Sequence, residues 1–304
     1  MKKYLFLFIF FPVWAWAQFP SEKTDAKLQR KLEALTASFQ GDVGIYVRNL
    51  KTGKTAAIRP DSLFPTASMI KIPIMATMFD RIERGEFQYR DVWTYRDSLL
   101  YEGEDLLGSF KDGEMIEFAK VVMLMMTMSD NTASLWAQLM AGTGTRINAL
   151  MASNGFLHTR VNSRTPGREA EKRKFGWGVT TPREMAELVV RIRQNRLVSA
   201  AASEEMYRAL TRSFWNKEAL SPLPPYVQAA SKQGAVDRSR SEVVLVSAPS
   251  GDYVFCIITK NQTDTSWTHD NAGFKLLRDV SALLWQHFEP KNPWKPAAGE
   301  ERYW

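Results

Sequence analysis

The spacing of hydrophobic positions changes twice along this chain. Residues 22–39 carry leucines at near-helical intervals and predict an amphipathic helix. Within residues 43–47, apolar side chains alternate with small or polar ones, which predicts a strand. A turn at 51–54 then leads into a second predicted strand at 55–58. Helical patterns then dominate from about 68 to 210, so a small β element precedes a long helical region.

The last third of the chain returns to strand patterns near residues 226–232, 242–247 and 253–260, and a final helix is predicted over 270–288. Between 160 and 180 the periodicity fails, and an irregular loop of that length inside a compact domain is usually functional. This order predicts one sheet built from both chain ends with a helical lobe inserted between them. We expect an α/β lobe of residues 18–62 and 213–290, an all-α lobe of residues 63–212, and a C-terminal tail of residues 291–304.

Residues 1–17 have the three-part layout of a secretory signal peptide. Lys2 and Lys3 precede an apolar run, and Ala15-Trp16-Ala17 supplies a small-x-small cleavage site. The alternative is a membrane anchor, but about ten apolar residues are too few to span a bilayer. We predict cleavage after Ala17, secretion across the inner membrane into the periplasm, and no stable membrane insertion afterwards.

Composition narrows the classes of function. The 304 residues are 45% hydrophobic and 24% charged, as in a globular protein, and the formal charge of +7 is scattered. Such an excess fits anionic small substrates or the cell envelope better than nucleic acid. The one cysteine, Cys256, lies in an apolar run and is expected as a buried free thiol. The histidines are too scattered for a zinc site, so we expect no metal. We also expect no cofactor and a monomeric protein.

Candidate chemistry begins at Ser68-Met69-Ile70-Lys71. Positions three apart share a face of a helix, so the Lys71 amine can reach the Ser68 hydroxyl. A lysine can activate a serine when burial and a neighbouring cation lower the lysine pKa, and a helix start favours a developing oxyanion. Taken alone, this match is better explained as an N-cap serine followed by a solvent lysine.

The second motif is Ser129-Asp130-Asn131, at the end of a methionine-rich helix over residues 121–128. Helix capping is the ordinary role of these residue types, and the methionines are better explained as core. A second hydroxyl at this place could nevertheless pass a proton to a leaving amine, while Asn131 could bind both the substrate amide and Lys71.

The third motif is Ser231-Lys232-Gln233-Gly234, at the end of a strand pattern. Lys232 could attract a substrate carboxylate, and Gly234 lets a substrate lie along the strand edge. Residues 51–53 spell a literal Lys-Thr-Gly, but they precede the nucleophile and occupy a hairpin turn, so they are set aside.

In this order and at this spacing, the three motifs resemble those of the penicillin-recognising serine enzymes, specifically the class A β-lactamases. The surrounding segments FPTASMIKIPI, MSDNTAS and TTPREMAEL are similar to that family as well, and the similarity covers about residues 25–288. The resemblance implies a β-lactamase/transpeptidase-like α/β (α+β) fold. Such a fold has a five-stranded antiparallel sheet with flanking helices, an inserted all-α lobe, and the site between the lobes.

The resemblance also implies the catalytic roles. Ser68 would be the acylated nucleophile, Lys71 its partner and Ser129 the proton relay. The substrate would be a small molecule, either a β-lactam or a peptidoglycan-like amide.

Binding roles are implied for the remaining matched residues. Asn131 would orient the substrate, and Lys232 would hold its carboxylate with help from Arg240 on the next strand. Gly234 would admit the substrate to the strand edge. The oxyanion hole would combine the backbone N–H of the nucleophile with that of Ala235.

The chain departs from the family pattern at two positions. Thr165, before Pro166, stands where the family carries the glutamate that activates the deacylating water. Glu169 or Glu171 could substitute for it from a shifted position, but a solvated loop carboxylate is the simpler interpretation. Gln233 stands where the family has Thr or Ser. We therefore expect acylation without the usual base for deacylation.

Three hypotheses follow. The first is an exported class A-related β-lactamase. The second is a related acyl-serine hydrolase, either a peptidoglycan D,D-peptidase or an esterase-like enzyme. The third is a non-catalytic penicillin-binding or sensing protein, which the complete set of Ser68, Lys71, Ser129 and Lys232 disfavours. A class A-related serine hydrolase ranks first, with robust β-lactam turnover left open.

Overall fold

The computed structural model describes residues 20–103 and 105–303. The predicted signal peptide lies outside these residues. Within them, no helix is both long enough and apolar enough to cross a bilayer. The strands are β1 (Lys23–Thr24), β2 (Asp42–Asn49), β3 (Lys54–Ile58), β4 (Phe64–Pro65), β5 (Val92–Thr94), β6 (Met115–Glu117), β7 (Arg160–Val161), β8 (Gly178–Thr180), β9 (Ala229–Val236), β10 (Ser239–Val246) and β11 (Tyr253–Lys260).

Helices fill the middle of the chain and flank the main sheet. Short 3₁₀ turns and one π-helical turn, Leu124–Met128, connect several of them. The α-helices are α1 (Ala26–Thr36), α2 (Lys71–Glu83), α3 (Phe118–Met123), α4 (Asn131–Met140), α5 (Thr143–Ser153), α6 (Glu169–Phe175), α7 (Pro182–Arg193), α8 (Ala200–Leu210) and α9 (Ala272–Phe288).

The main sheet has the strand order β1-β3-β2-β11-β10-β9. Its five longer strands are antiparallel, as predicted. The sixth is the two-residue β1, which pairs in parallel with Lys54 and Thr55, so the strand count exceeds the expected five by one. The strands from the start of the chain and those from its end meet where β2 pairs with β11.

Hydrophobic side chains cover both faces of this sheet. On one face Ile45, Val47 and Phe255 pack with α1 and α9, and on the other Tyr46 and Cys256 join the core shared with the helical region. This two-sided burial explains why the central strands read as nearly continuous apolar runs. Cys256 is a buried free thiol, as expected, and burial raises its pKa.

The segment from 160 to 180 is more regular than its sequence pattern predicted. β7 and β8 form a three-stranded sheet with β4, and α6 lies between them. The backbone N–H of Thr66 also donates to the carbonyl oxygen of Gly178 at 3.0 Å. These bonds fasten the segment to the residues that immediately precede Ser68.

Thr181 caps the N-terminus of α7. The Thr181 side chain accepts a hydrogen bond from the Glu184 backbone N–H at 3.1 Å. The Glu184 carboxylate in turn accepts hydrogen bonds from the backbone N–H groups of residues 157–159. The helix start therefore also anchors the chain that enters β7.

Candidate active site

The predicted nucleophile lies at the start of a long buried helix. Residues Ala67–Ile70 form a 3₁₀ turn that continues directly into α2. Ala67 has φ 42°, in the left-handed region, and this sharp entry leaves the Ser68 side chain half-buried at the rim of a cavity. Lys71 follows one turn later and is fully buried.

The Lys71 amine is held by the second motif. Its Nζ donates to the backbone oxygen of Ser129, to Ser129 Oγ at 3.1 Å and to Asn131 Oδ1 at 2.9 Å. Burial lowers the Lys71 pKa to about 7 and outweighs the attraction of two nearby aspartates. Near neutral pH part of this amine is therefore uncharged, and among the described residues its hydrogen bonds go to Ser129 and Asn131 and none goes to Ser68.

Ser129 brings the second and third motifs together. It ends the π-helical turn with φ 60° and ψ 29°, and its Oγ also accepts a hydrogen bond from Lys232 Nζ at 2.9 Å. Burial, and then the neighbouring charge of Lys71, holds the Lys232 pKa well below its usual range. With both lone pairs of Oγ facing amines, the hydroxyl proton is left to donate elsewhere, as a proton relay requires.

Near Lys232 lies the buried carboxyl of Glu242, with the half-buried Glu218 as its neighbour, and the sequence did not identify this pair. The Glu242 carboxyl accepts hydrogen bonds from Ser231 Oγ and from the Ala219 backbone N–H at 2.8 Å. Burial, reinforced by the neighbouring Glu218, raises the Glu242 pKa to about 8. The only sign of it in the sequence is a glutamate directly before the apolar residues 243–246 of β10.

Gly234 lies directly against the nucleophile's backbone. A Cβ on this glycine would come within 2.8 Å of the Ser68 nitrogen and the Thr66 oxygen, and within 2.9 Å of the Ala67 Cβ. Only glycine allows β9 to approach so closely. The next residue, Ala235, lines the same cavity as Ser68.

The cavity beside Ser68 has a volume of about 550 Å³. Asn131 and Ala235 contribute to its walls, and an aromatic pair closes one side. The rings of Tyr101 and Trp177 meet edge to face with centroids 5.3 Å apart. Sequence reasoning missed both aromatic residues, because each lies in a segment without clear periodicity.

Arg240 does not reach the predicted carboxylate site. It pairs with Ala235 across the β9–β10 ladder, and its side chain points to the α9 face of the sheet. There its guanidinium packs over the rings of Trp267, at 4.4 Å, and Phe274, at 4.5 Å. The residue opposite Gly234 is instead Ser241, whose Oγ donates to the Gly234 oxygen at 3.1 Å.

The structure also does not bring Glu169 to Ser68. Glu169 begins α6, is exposed and accepts a hydrogen bond from the Gly167 backbone N–H at 3.1 Å. Thr165 is buried, packs on Gly144 of α5 and donates to the Ser163 oxygen at 2.9 Å. Among the described residues that line the cavity, none carries a carboxylate.

Comparisons with known proteins agree on one family and one fold. The family model described as "Beta-lactamase enzyme family" matches residues 27–288. Beta-lactamase VEB-1 of Pseudomonas aeruginosa is 20% identical over 89% of this chain and 93% of that protein. A β-lactamase of Streptomyces fradiae is 26% identical over 74% of this chain and 75% of that protein.

Among solved structures, PBP-A superposes with a TM-score of 0.80 at 26% identity, over 90% of this chain and 100% of that chain. A point mutant of PBP-A, solved as an acyl-enzyme complex with penicillin G, superposes with a TM-score of 0.79 at 26% identity, over 89% and 99%. A β-lactamase from Sphaerobacter thermophilus reaches 0.76 at 23% identity, over 88% and 98%. These likenesses confirm the predicted β-lactamase/transpeptidase-like fold.

Proposed function

This chain belongs to the β-lactamase enzyme family, and we propose that it forms an acyl-enzyme on Ser68 with β-lactams or related amides and releases the acyl group slowly. The observation that carries this proposal is Ser129 Oγ, which lies within hydrogen-bond distance of two buried amines, Lys71 and Lys232. A site with these parts is equipped for acylation. The cavity offers no carboxylate, among the described residues, for the second half of the reaction.

In the acylation step, Ser68 Oγ attacks the amide carbon, and the Oγ–C bond forms as the C–N bond breaks. The neutral Lys71 amine accepts the Ser68 proton, and its contact with Ser129 gives that proton a path onward. Ser129 takes up a proton from the amine and delivers its own to the leaving nitrogen. The carbonyl oxygen meanwhile accepts from the backbone N–H groups of Ser68 and Ala235.

Substrate binding uses the groups around this hydroxyl. Asn131 Oδ1 accepts from Lys71, so its amide nitrogen remains to contact a substrate carbonyl in the cavity. Lys232 attracts the substrate carboxylate, which must compete with the Gln233 side-chain oxygen for the same amine. Gln233 thus occupies the place where the family pattern has a hydroxyl.

Slow deacylation follows from the placement of the loop residues. Hydrolysis of an acyl-serine needs a water held and deprotonated by a base. Thr165 is turned towards α5, and Glu169 lies on the exposed side of α6. Neither supplies that base at Ser68.

The test is intact-protein mass spectrometry of the mature protein after mixing with benzylpenicillin, followed over time. Ring opening loses no atoms, so we expect an adduct of the full penicillin mass that persists for many minutes. Ser68→Ala should abolish the adduct, and the matched control Ser153→Ala, on the exposed surface of α5, should keep it. An adduct on Ser68→Ala would refute the nucleophile, and rapid loss of the adduct with penicillin consumption would refute slow deacylation.

The same lack of a carboxylate favours a second candidate, a D,D-peptidase whose natural acyl-enzyme is resolved in another way. A persistent penicillin adduct together with release of D-alanine from a peptide ending in D-Ala-D-Ala would support it. A persistent adduct without peptide or ester hydrolysis would leave a penicillin-binding or sensing protein.

We also propose export to the periplasm, on the layout of residues 1–17. The experiment is fractionation of the producing cells followed by N-terminal sequencing of the mature protein. A periplasmic protein that starts at Gln18 is expected, whereas an intact N-terminus in the membrane fraction would contradict the proposal.

A further inference from the structure

Three cationic side chains line the cavity that contains Ser68. They are Lys174 of α6, Arg238 of the β9–β10 turn and Lys260 at the end of β11. We call this part of the cavity the basic end. In the described part of the chain, none of the three forms a salt bridge with a carboxylate: Lys260 donates to a backbone oxygen at 2.9 Å, and Arg238 donates to two, at 3.2 and 3.3 Å.

The nearest acidic groups do not neutralise the basic end. Asp42 is already paired with Arg59 and accepts from the Asn261 side chain at 2.9 Å. Asp264 accepts hydrogen bonds from backbone N–H groups, including that of Ala272 at 2.8 Å. Asp237 is exposed beside Arg238 and does not line the cavity. The walls of the cavity therefore carry positive charge only, within the residues described.

The basic end lies on the opposite side of Ser68 from Lys232. Strand β9 runs from Lys232 through Gly234 and Ala235 to Val236, and Arg238 follows in the turn. A strand rises about 3.3 Å per residue, so Lys232 and Val236 are about 13 Å apart. A substrate whose carbonyl lies at Ala235 thus has its leaving-group side near Lys232 and its acyl side near Arg238.

An exposed lysine by itself is ordinary surface. Here three cations from three separate elements line one cavity, which the ring of Trp177 also lines. Low-dielectric walls of one charge sign concentrate the field on a ligand of opposite charge. Such a wall suits a ligand group that combines a flat apolar part with a negative charge.

We propose that the basic end binds an anionic group on the acyl part of the substrate. The preferred substrate is then an amide that carries a carboxylate on each side of the scissile bond, one for Lys232 and one for Lys174, Arg238 and Lys260. This inference rests on the proposed acylation of Ser68 and adds the class of substrate to it.

The experiment compares three penicillins that share the bicycle and its carboxylate and differ in the side chain: benzyl, α-carboxybenzyl and α-aminobenzyl. We measure the second-order acylation rate constant of each by mass spectrometry at low ionic strength. The carboxybenzyl compound should react about fivefold faster than the benzyl compound, and the aminobenzyl compound more slowly than either. The preference should shrink in 0.5 M salt, because the charges are partly exposed.

Charge-removing variants locate the effect. Arg238→Gln and Lys174→Gln should each lower the carboxybenzyl-to-benzyl ratio about twofold, and Arg238→Lys should retain most of it. Arg173→Gln makes the same charge change on α6, at an exposed residue that does not line the cavity, and should keep the wild-type ratio. A ratio near one in the wild type, or an equal fall with Arg173→Gln, would overturn the proposal.

A binding measurement separates this proposal from the proposed acylation. Ser68→Ala cannot be acylated at residue 68, so its dissociation constants for the benzyl and carboxybenzyl compounds report the basic end alone. If neither compound acylates the wild type, the proposed function fails. Tighter carboxybenzyl binding to Ser68→Ala, lost with Arg238→Gln, would then still support the anion site, and equal binding would refute it.

Discussion

Alanine in place of Gly234 tests how closely β9 must approach the nucleophile. The added Cβ would lie 2.8 Å from the Ser68 nitrogen and from the Thr66 oxygen, and 2.9 Å from the Ala67 Cβ. Carbon atoms normally keep about 3.4 Å or more from such neighbours, so β9 must retreat by roughly half an ångström. The backbone at Gly234 is not left-handed, so the effect of the methyl group is steric.

The retreat moves the Ala235 N–H away from the carbonyl oxygen of the substrate. Loss of one oxyanion-hole donor costs about 10²–10³ in rate, so acylation of Gly234→Ala by benzylpenicillin should slow about 100-fold. Overpacking should also destabilise the fold by about 1–3 kcal/mol. The assay is the initial rate of adduct formation, together with a urea unfolding curve of each variant.

Gly273→Ala is the matched control. Its Cβ would crowd Gln262 Oε1 and lie 2.7 Å from Arg240 Cγ, so it meets side chains on the far face of the same sheet. This variant should be destabilised but should acylate at close to the wild-type rate while folded. A Gly234→Ala protein that acylates within threefold of wild type, or a Gly273→Ala protein that slows as much, would refute the argument.

Three further predictions concern titration and carboxylate binding. The proposed acylation needs the neutral Lys71 amine, and burial lowers the pKa of this amine to about 7. The acylation rate should therefore rise as the pH increases through about 7. A rate that stays constant from pH 5.5 to 9 would contradict this role of Lys71. Gln233→Thr removes the amide oxygen that competes for Lys232, so penicillin should bind more tightly. The dissociation constant of the double variant Ser68→Ala/Gln233→Thr should be about threefold lower than that of Ser68→Ala. Weaker binding by the double variant would show that the amide assists. The Glu242 pKa is raised from 4.5 to about 8, so this carboxyl must lose its proton in a buried place and should destabilise the fold as pH rises from about 4.5 to 8. Between pH 4.5 and 8.5 the wild type should then lose about 4 kcal/mol relative to Glu242→Gln in urea unfolding, and parallel pH profiles would count against it.

The motifs were informative because the same residues that shape the local backbone also supply the reactive groups of the site. The spacing of Ser68 and Lys71 places both on one helical turn, and the structure brings Lys71 and Lys232 to the hydroxyl of Ser129. Gly234 is needed for close approach of a strand, which glycine in a strand pattern often signals. Sequence could therefore indicate which residues meet before any distance was known.

Arg240 shows where this reasoning ends. The β9–β10 hairpin turns in two residues, so Arg240 is paired with Ala235 and faces α9. Alternate strand residues face opposite sides, and a shift of one position in register exchanges the faces. The sequence shows that an arginine is present, but it does not show the register between β9 and β10.

Tertiary packing explains the remaining differences between what the sequence predicted and what the structure shows. The charged run after Gly167 forms the short helix α6, whose first residue, Glu169, stays at the exposed surface. Tyr101 reaches the cavity because its backbone N–H donates to Thr132 Oγ1 at 3.0 Å. No periodic pattern encodes such a bond between segments far apart in the sequence.

We expect the pairing of β2 with β11 to form late in folding. Val43 meets Thr259 across that ladder, so the centre of the sheet joins residues more than 200 positions apart. Contacts of such long range form late, because a long loop must close before they stabilise anything. The helices of the middle segment can collapse first, but β9, which presses Gly234 against Ser68, gains its full support only once β10 and β11 are in place. A chain of this topology remains inactive until its C-terminal strands are in place.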